Sequence, residues 1–268
     1  MTSSFSSAMN VTINFTKEIP PQASILICGL PGIAFIGKLS VDYLIKELKA
    51  ELVGEVHSQF FSPYVLVGKD GVVELLRNEL YYLKDEKDRG IFFFTGNAQA
   101  ASPEGQYALI DEVLDTVIKL GVKHVYSITA FLTEKPFERP KVYGIATNPS
   151  LVEGLNEWGV LPMDHGSISG MNGLILGLAQ MKKLEGTCLL GETHGYQTPT
   201  GQYIVDTKAG RSVLDVLTAM LGLTVDMKPL EKQAKQMDEF TKKLAEVEKK
   251  VREELQRAAA RDPSRYIT

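Results

Sequence analysis

Short, continuous apolar runs alternate with longer amphipathic segments along residues 11–225. The runs at 23–29, 90–96 and 187–192 carry almost no charge, which is typical of strands covered on both faces. Between the runs, apolar residues recur at helical spacing over about 10 to 18 residues. Strands that alternate with helices of this length form βαβ units. The sequence therefore predicts a three-layered α/β domain with a mostly parallel sheet flanked by helices.

The same patterns give approximate bounds for the other elements. Further strands are predicted at 11–18, 52–58, 64–68, 124–131 and 141–147, and helices at 33–49, 103–121, 151–159, 171–186 and 209–222. Ser102 can cap the helix that starts at Pro103, because a serine hydroxyl accepts from the first free backbone N–H groups. The Lys69-Asp70-Gly71 turn predicts a hairpin between the strand at 64–68 and the segment VVELLRNELYYL at 72–83.

The C-terminal part of the chain has a different pattern. Between Pro229 and Arg261 there is no glycine and no internal proline, and apolar residues recur every seven positions at Leu230, Met237, Leu244, Val251 and Ala258. This heptad pattern predicts one long helix. Its apolar stripe would be covered either by the chain's own domain or by other subunits. We expect a disordered leader at 1–10, an α/β domain at 11–227, the helix at 228–262 and an exposed tail at 263–268.

Composition excludes several functions. The net charge of −4 and the pI near 5.7 argue against a nucleic-acid-binding protein, which needs a basic face. No apolar run reaches the roughly 18 residues of a membrane span, and the first ten residues do not resemble a secretory signal. Cys28 and Cys188 lie in strand-like apolar runs, which predicts two buried free thiols and a cytoplasmic protein.

A glycine-rich turn at 29–40 resembles the start of a nucleotide-binding loop. From Gly32 to Lys38 the residues fit G-x-x-x-x-G-K, but Leu39 stands where a magnesium-binding hydroxyl is required. The four intervening residues, 33–36, are apolar and favour burial over contact with phosphate. The near-match therefore does not predict a nucleotide site, and we expect neither a cofactor nor a metal.

A structural interpretation fits this turn better. Gly29 ends a strand and Pro31 lies in the turn. Gly32 and Gly37 would let the following helix lie close to the sheet, because glycine has no side chain to separate the two.

An enzymatic alternative rests on a few polar residues. The four histidines have no metal-binding spacing, and no G-x-S-x-G elbow is present. Asp164-His165 and Glu192-x-His194 each follow a predicted strand, where open α/β sheets bind ligands. If the chain were a nucleoside- or phosphate-handling transferase or ligase, Lys38, Glu192 and His194 would be its catalytic candidates, with Asp164 and His165 as helpers.

Several segments in a fixed order resemble one family. They are GLPGIAFIGKLSVDYLI at 29–45, RPKVYGIATNP at 139–149, GSISGMNGLILG at 166–177, CLLGETHGYQTPTG at 188–201 and AGRSVLDVLTAMLGLTVD at 209–226. The ordered set resembles the proteasome assembly chaperones in their archaeal and bacterial single-domain form, some of which have been labelled ATP-grasp-like.

This resemblance implies a phosphorylase-like α/β fold that serves as a binding scaffold. It also implies a homo-oligomer that contacts the α subunits of the 20S proteasome, or related chaperone subunits, with no nucleic acid and no membrane. Ala34 departs from the family pattern, where a glycine is common, and Thr129-Ala130 stands where a Gly-Gly pair often follows the strand. Both substitutions crowd the crevice of a phosphorylase-like fold and argue mildly against catalysis.

The C-terminal tail bears on the partner. Members of this family often end in a hydrophobic residue, a tyrosine and any residue, which docks between proteasome α subunits. Here Tyr266 is third from the end and is followed by Ile267 and Thr268. A shift of one residue displaces the end by roughly 3.3 Å, so the tail is either a degenerate docking motif or a frayed end.

The leading hypothesis is a non-enzymatic, oligomeric proteasome assembly chaperone or proteasome-interacting factor, in which Tyr266, Ile267 and Thr268 engage the partner. The enzyme described above is the main alternative. A third possibility is a purely structural oligomer whose long helices bundle into a stalk. A seven-residue stripe is compatible with several subunit numbers, so the sequence does not give the oligomeric state.

Overall fold

A computed structural model describes residues 11–19, 23–133, 139–198, 200–237, 239–240 and 253–254 of the chain. The chain divides into two compact units, Met1–Asp226 and Met227–Thr268. The first unit contains the strands β1 Val11–Phe15, β2 Ala23–Cys28, β3 Glu51–Ser58, β4 Val65–Val67, β5 Val73–Leu75, β6 Asn78–Lys84, β7 Gly90–Gly96, β8 His124–Leu132, β9 Val142–Ala146, β10 Leu161–Pro162 and β11 Glu185–Thr193. Its helices are α1 Ile36–Leu48, α2 Pro103–Lys119, α3 Pro149–Leu155, α4 Met171–Met181 and α5 Thr207–Leu221.

Nine strands form one sheet in the order β1-β3-β6-β7-β2-β8-β11-β9-β10, and β4 and β5 form a separate hairpin. The four central strands, β7, β2, β8 and β11, are parallel to one another. Antiparallel pairs flank this centre, through β1, β3 and β6 on one side and between β11 and β9 on the other. The predicted α/β class with a mostly parallel central sheet is confirmed.

The apolar runs form the centre of the molecule. Leu26 in β2 and Phe92 and Phe94 in β7 are fully buried and pack with α2 and α4. Their neighbours Ile27 and Phe93 are also fully buried. Since successive strand residues point to opposite faces, the central strands are covered on both sides, and α1 packs with α5 as a second helical pair. This is the three-layer arrangement that the uninterrupted apolar runs predict.

Local signals set the helix ends. The Ser102 hydroxyl accepts from the backbone N–H of Gly105 at 3.1 Å, which confirms the predicted cap of α2. The helix predicted from residue 33 begins at Ile36, because Ile33–Phe35 forms a 3-10 turn in which Ala34 and Phe35 have φ of 51° and 53°. The helix predicted to run to 186 ends at Met181, and Lys183 takes a left-handed conformation before β11 begins.

Two further predictions concern the cysteines and the hairpin. Cys28 and Cys188 are buried and free, as predicted. Burial raises the pKa of the Cys28 thiol and raises that of Cys188 to about 12. The predicted hairpin turn is confirmed between β4 and β5 around residues 69–71. The second arm predicted at 72–83 is divided, however, because β6 pairs with β3 and β7 in the main sheet. No helix in the described part of the chain is both long and apolar enough to cross a membrane.

In the second unit, residues 228–237 are helical, as are 239–240 and 253–254. The predicted leader at 1–10, most of the predicted helix beyond 240 and the tail with Tyr266, Ile267 and Thr268 lie outside the described residues.

Candidate functional site

The glycine-rich turn follows β2 at the edge where the parallel strands end. The backbone N–H of Gly29 donates to the carbonyl of Phe94 at 3.0 Å, which continues the pairing with β7. A methyl group at Gly29 would overlap the carbonyl of Gly37, and one at Gly37 would overlap the carbonyl of Ile128. Gly32 is extended, with φ of −163°, and a methyl there would make only an ordinary contact with Asn172. Gly29 and Gly37 therefore bring α1 against β2 and β8.

The residues of the near-match do not form a phosphate cradle. Ala34 and Ile36 are fully buried. The Lys38 ammonium pairs with the Asp42 carboxylate one helical turn away at 2.7 Å, and Asp42 also accepts from the Thr95 hydroxyl at 2.7 Å. A phosphate-binding lysine needs its ammonium directed at the loop. Here the ammonium is engaged along the side of α1.

Asn172, in the first turn of α4, binds the turn as a neighbouring strand would. Its side-chain oxygen accepts from the N–H of Leu30 at 2.9 Å, and its side-chain nitrogen donates to the carbonyl of Leu30 at 3.0 Å. Its own backbone carbonyl accepts from the Ser127 hydroxyl in β8. The side chain is buried, so these bonds satisfy backbone groups that water does not reach.

Gln99 makes a second bridge between the turn and α4. Its side-chain nitrogen donates to the carbonyl of Pro31 at 2.5 Å, and its oxygen accepts from the backbone N–H of Met171 at 2.6 Å. The first residue of α4 thus has its N–H satisfied by a side chain of the loop after β7. That group is not left for a ligand.

Asp206 makes a third bridge. One carboxylate oxygen accepts from the backbone N–H groups of Lys208 and Ala209 at 3.1 and 3.0 Å, and the other accepts from the Thr193 hydroxyl at 2.7 Å. Its own N–H donates to the carbonyl of Ala34 at 2.9 Å. A helix N-terminus at the end of parallel strands is a usual anion site. In α5 this position holds the chain's own carboxylate.

We call Gln99, Asn172, Thr193 and Asp206 the strand-end network. Sequence reasoning missed all four. Asp206 had a local signal, since aspartate before a helix is a common cap. Asn172 and Gln99 had no local signal, because each bonds to a segment that is far away in sequence. Asn172 and Leu30, for example, are 142 residues apart. The network joins β11, α4 and α5 to the glycine-rich turn and bonds backbone groups at the strand ends to the chain's own side chains.

The residues of the enzymatic alternative serve other contacts. Glu192 is 8% exposed, and its carboxylate accepts from the N–H of Lys141 at 2.9 Å. Its backbone N–H donates to the carbonyl of Lys141 at 2.9 Å, so the residue continues the pairing of β11 with the chain before β9. The His194 ring nitrogen lies 3.3 Å from the carbonyl of Thr133. These contacts position the end of β11.

Asp164 and His165 are exposed and follow β10. β10 is parallel to β9, and β9 is antiparallel to β11. The ends of β10 and β11 therefore face opposite edges of the sheet, and the structure does not bring Asp164 and His165 together with Glu192 and His194. The sequence placed both pairs after strands but did not give the strand directions.

His165 instead lines an open cavity of about 350 Å³ between β9 and α4, with Ile145, Met163, Ile168 and Leu176. Within the described ranges, no group of three or more His, Cys, Asp or Glu side chains is placed to hold a metal ion. Polar and apolar surface line the cavity in nearly equal parts, with Thr147 and Gln180 beside the exposed imidazole, and the cavity lies apart from the glycine-rich turn.

The fold and the strand-end network together define an α/β protein in which the chain's own side chains bridge the ends of the parallel strands. The chain belongs to the PAC2 family, whose model matches residues 26–245. A curated relative, the uncharacterized protein MJ1210 of Methanocaldococcus jannaschii, is 37% identical over 94% of this chain and 95% of its own length.

Solved structures from Pyrococcus furiosus resemble the chain over nearly their whole length. One, described as PbaB, an archaeal proteasome activator, is 32% identical, with a TM-score of 0.80 over 88% of this chain and 99% of its own. Another, described as PbaA, an archaeal homolog of proteasome-assembly chaperone, is 26% identical, with a TM-score of 0.70 over 95% and 99%. The resemblance to a chaperone family inferred from the ordered motifs is thereby confirmed.

Proposed function

We propose that this protein is a proteasome-interacting factor of the assembly-chaperone or activator type, which acts without catalysis as a homo-oligomer in the cytoplasm. The observation that carries the proposal is the similarity to the PbaB structure, described as a proteasome activator, at 32% identity and a TM-score of 0.80. The PbaA structure, described as a homolog of proteasome-assembly chaperone, supports the same class of partner.

The strand-end network supports a role as a scaffold. In an open α/β sheet the ligand occupies the crevice beyond the parallel strands. Here Asn172 fills the turn beside β2, and Asp206 caps α5 in the position of an anion. Both groups also hold the sheet and helices together, so a ligand would have to break structural bonds to enter. Such a domain is suited to presenting a fixed outer surface.

The partner we propose is the set of 20S α subunits, or related chaperone subunits. The heptad-patterned C-terminal segment would present Tyr266, Ile267 and Thr268, which combine an aromatic ring and an aliphatic side chain. Aromatic residues dominate many binding hot spots because they bury a large area with few rotatable bonds. The tail is therefore the proposed contact with the α subunits.

The test is capture of purified archaeal 20S proteasome by immobilised protein. Full-length protein, Tyr266→Ala and a chain truncated after Arg261 are compared. We expect full-length protein to retain the proteasome and both variants to lose at least about tenfold in affinity, as for a hot-spot aromatic. Failure of all three chains to bind rejects the proteasome role. Equal binding by all three chains rejects only the proposed role of the tail in binding.

A second measurement separates activation from assembly. Peptide hydrolysis by preassembled 20S proteasome rises on addition of an activator. An assembly chaperone instead increases the yield of 20S particles from separate α and β subunits. The identity to PbaB, which is described as an activator, is higher than the identity to PbaA and favours a rise in peptide hydrolysis.

A further inference from the structure

The β4–β5 hairpin carries an uncovered aliphatic face. Val65 pairs with Leu75 and Val67 pairs with Val73. Residues opposite one another, or two apart on one strand, share a face of a strand pair. These four side chains therefore form one continuous surface, which we call the hairpin face. They are 46%, 68%, 63% and 64% exposed in the order Val65, Val67, Val73 and Leu75.

Further exposed apolar side chains lie on the hairpin outside this face. Tyr64, Leu66 and Val72 are also exposed, so seven large apolar residues are exposed within twelve consecutive positions. A concentration of exposed apolar side chains marks interaction sites more often than single exposed apolar residues do.

Hydrogen bonds and ion pairs hold the hairpin in place. The N–H of Gly68 donates to the carbonyl of Val72 at 2.9 Å and closes the turn. At the base, Arg77 pairs with Glu74 of β5 at 3.1 Å and also with Glu55 of β3 and Glu79 of β6 at 3.3 and 3.1 Å. Arg77 thereby fixes β5 to the main sheet. A surface presented in one fixed position loses little conformational entropy when it is covered.

The strands of the hairpin are apolar on both faces. Leu66 stands between Val65 and Val67, and Glu74 is the one polar residue within the two strands. Both faces are exposed to solvent in the described residues. The only charged residues between 64 and 75 are Lys69, Asp70 and Glu74; the first two lie in the turn, and Glu74 pairs with Leu66 off the hairpin face.

We propose that the hairpin face packs against a second copy of this chain. An uncharged, purely aliphatic surface is typical of permanent interfaces, whereas transient recognition surfaces carry more polar groups. An exposed face of this kind also promotes aggregation, so it has to be covered whenever the protein is folded. Another copy of the chain is the one partner that is always present in equal amount.

The contact of the hairpin face with a second copy rests on the homo-oligomer that is part of the proposed function. Its decisive measurements contain no proteasome, so either proposal can fail without the other. The first measurement is the mass of the full-length protein in solution, for wild type, for Val67→Glu/Val73→Glu and for Met181→Glu. Met181 is 78% exposed at the end of α4 and serves as a matched apolar-to-acid control.

We expect the hairpin variant to fall to a smaller assembly, while wild type and Met181→Glu keep the larger mass. Val67→Thr/Val73→Thr keeps the shape and β-branching of the strand, and it should also lose mass on dilution, with an unchanged far-UV circular dichroism spectrum. A monomeric wild type, or an unchanged mass in Val67→Glu/Val73→Glu, overturns the proposal.

The second measurement is thiol labelling of Val67→Cys and Met181→Cys in full-length protein. The native Cys28 and Cys188 are fully buried with raised pKa values, so they do not compete for the reagent. We expect Val67→Cys to react at least about tenfold more slowly than Met181→Cys, and the protection to disappear when dilution separates the subunits.

Three labelling results would contradict a second copy. Equal rates for the two variants mean that the hairpin face is open. Protection that survives dilution to the mass of one chain means that the chain covers its own hairpin. Fast labelling of Val67→Cys that becomes slow only when 20S proteasome is added means that the hairpin face contacts the proteasome instead.

Discussion

The glycine-rich turn and the β4–β5 hairpin are both short turns with apolar neighbours, yet their surroundings are opposite. Around the turn, the backbone groups of Leu30 bond to Asn172 and Ala34 is fully buried. Around the hairpin, Val67 and Val73 are more than 60% exposed. The turn resembles a ligand site in sequence, but its backbone groups bond to the chain's own side chains. The hairpin has no recognised motif, but it exposes the apolar surface on which the proposed contact between copies rests.

The largest expected effect concerns the close packing of the turn. Gly37→Ala places a methyl group against the carbonyl of Ile128, and neither backbone can move far. We expect a loss of about 3 kcal/mol in the free energy of unfolding, measured in urea. Gly177→Ala is the control, because nothing lies within 4 Å of the added methyl group in α4, and it should stabilise by about 0.5–1 kcal/mol. Equal effects would show that the turn is loosely packed.

Asn172→Ala tests the strand-end network. It removes two hydrogen bonds and leaves the N–H and carbonyl of Leu30 buried without them. We expect a loss of about 2 kcal/mol in unfolding free energy. Asn156→Ala, at an exposed position after α3, should change it by less than about 0.5 kcal/mol. If both variants lose the same amount, water satisfies Leu30 and the crevice is open.

A smaller effect concerns the left-handed residue of the turn. Ala34→Gly relieves a φ of 51°, a gain of about 1 kcal/mol, but it removes a buried methyl worth about 0.8 kcal/mol, so the net change should be near zero. Lys49→Gly has a similar φ of 56° at an exposed helix end and should gain about 0.5–1 kcal/mol. Thermal unfolding compares the two. A larger gain for Ala34→Gly would mean that its methyl packs poorly.

The smallest expected effect is the response to anions. Phosphate or nucleotides at about 10 mM should shift the midpoint of thermal unfolding by less than about 1 °C, because Asp206 occupies the N-terminus of α5. Asp206→Ser keeps a capping hydroxyl but removes the charge, and it should gain a small phosphate response. A clear shift in wild type that disappears in Lys38→Ala or Glu192→Ala would instead favour the enzyme.

The sequence predicted those features that depend on local pattern. The uninterrupted apolar runs placed β2, β7 and β11, and Ser102 placed the start of α2. Strand directions depend on partners far along the chain, so the sequence did not predict that β9 is antiparallel to β11. For the same reason it did not predict that His165 and His194 lie at opposite edges of the sheet. The left-handed φ of Ala34 was not predicted either, because alanine rarely adopts it.

The hairpin shows a different limit of local pattern. Its turn and first strand were predicted, but the apolar pattern alone does not reveal which surface covers these side chains. That information lies in a second molecule or in another part of the chain. The same holds for the heptad stripe from Leu230 onward, whose covering surface the repeat leaves open.

The position of β2 at the centre of the sheet has a consequence for how the chain is made. β2 ends at Cys28, but its neighbours β7 and β8 begin only at Gly90 and His124. During synthesis, this very apolar strand therefore leaves the ribosome long before either neighbour exists. Pairings that wait for distant segments are slow and leave nascent chains open to aggregation. Completion of the sheet therefore has to await release of most of the domain.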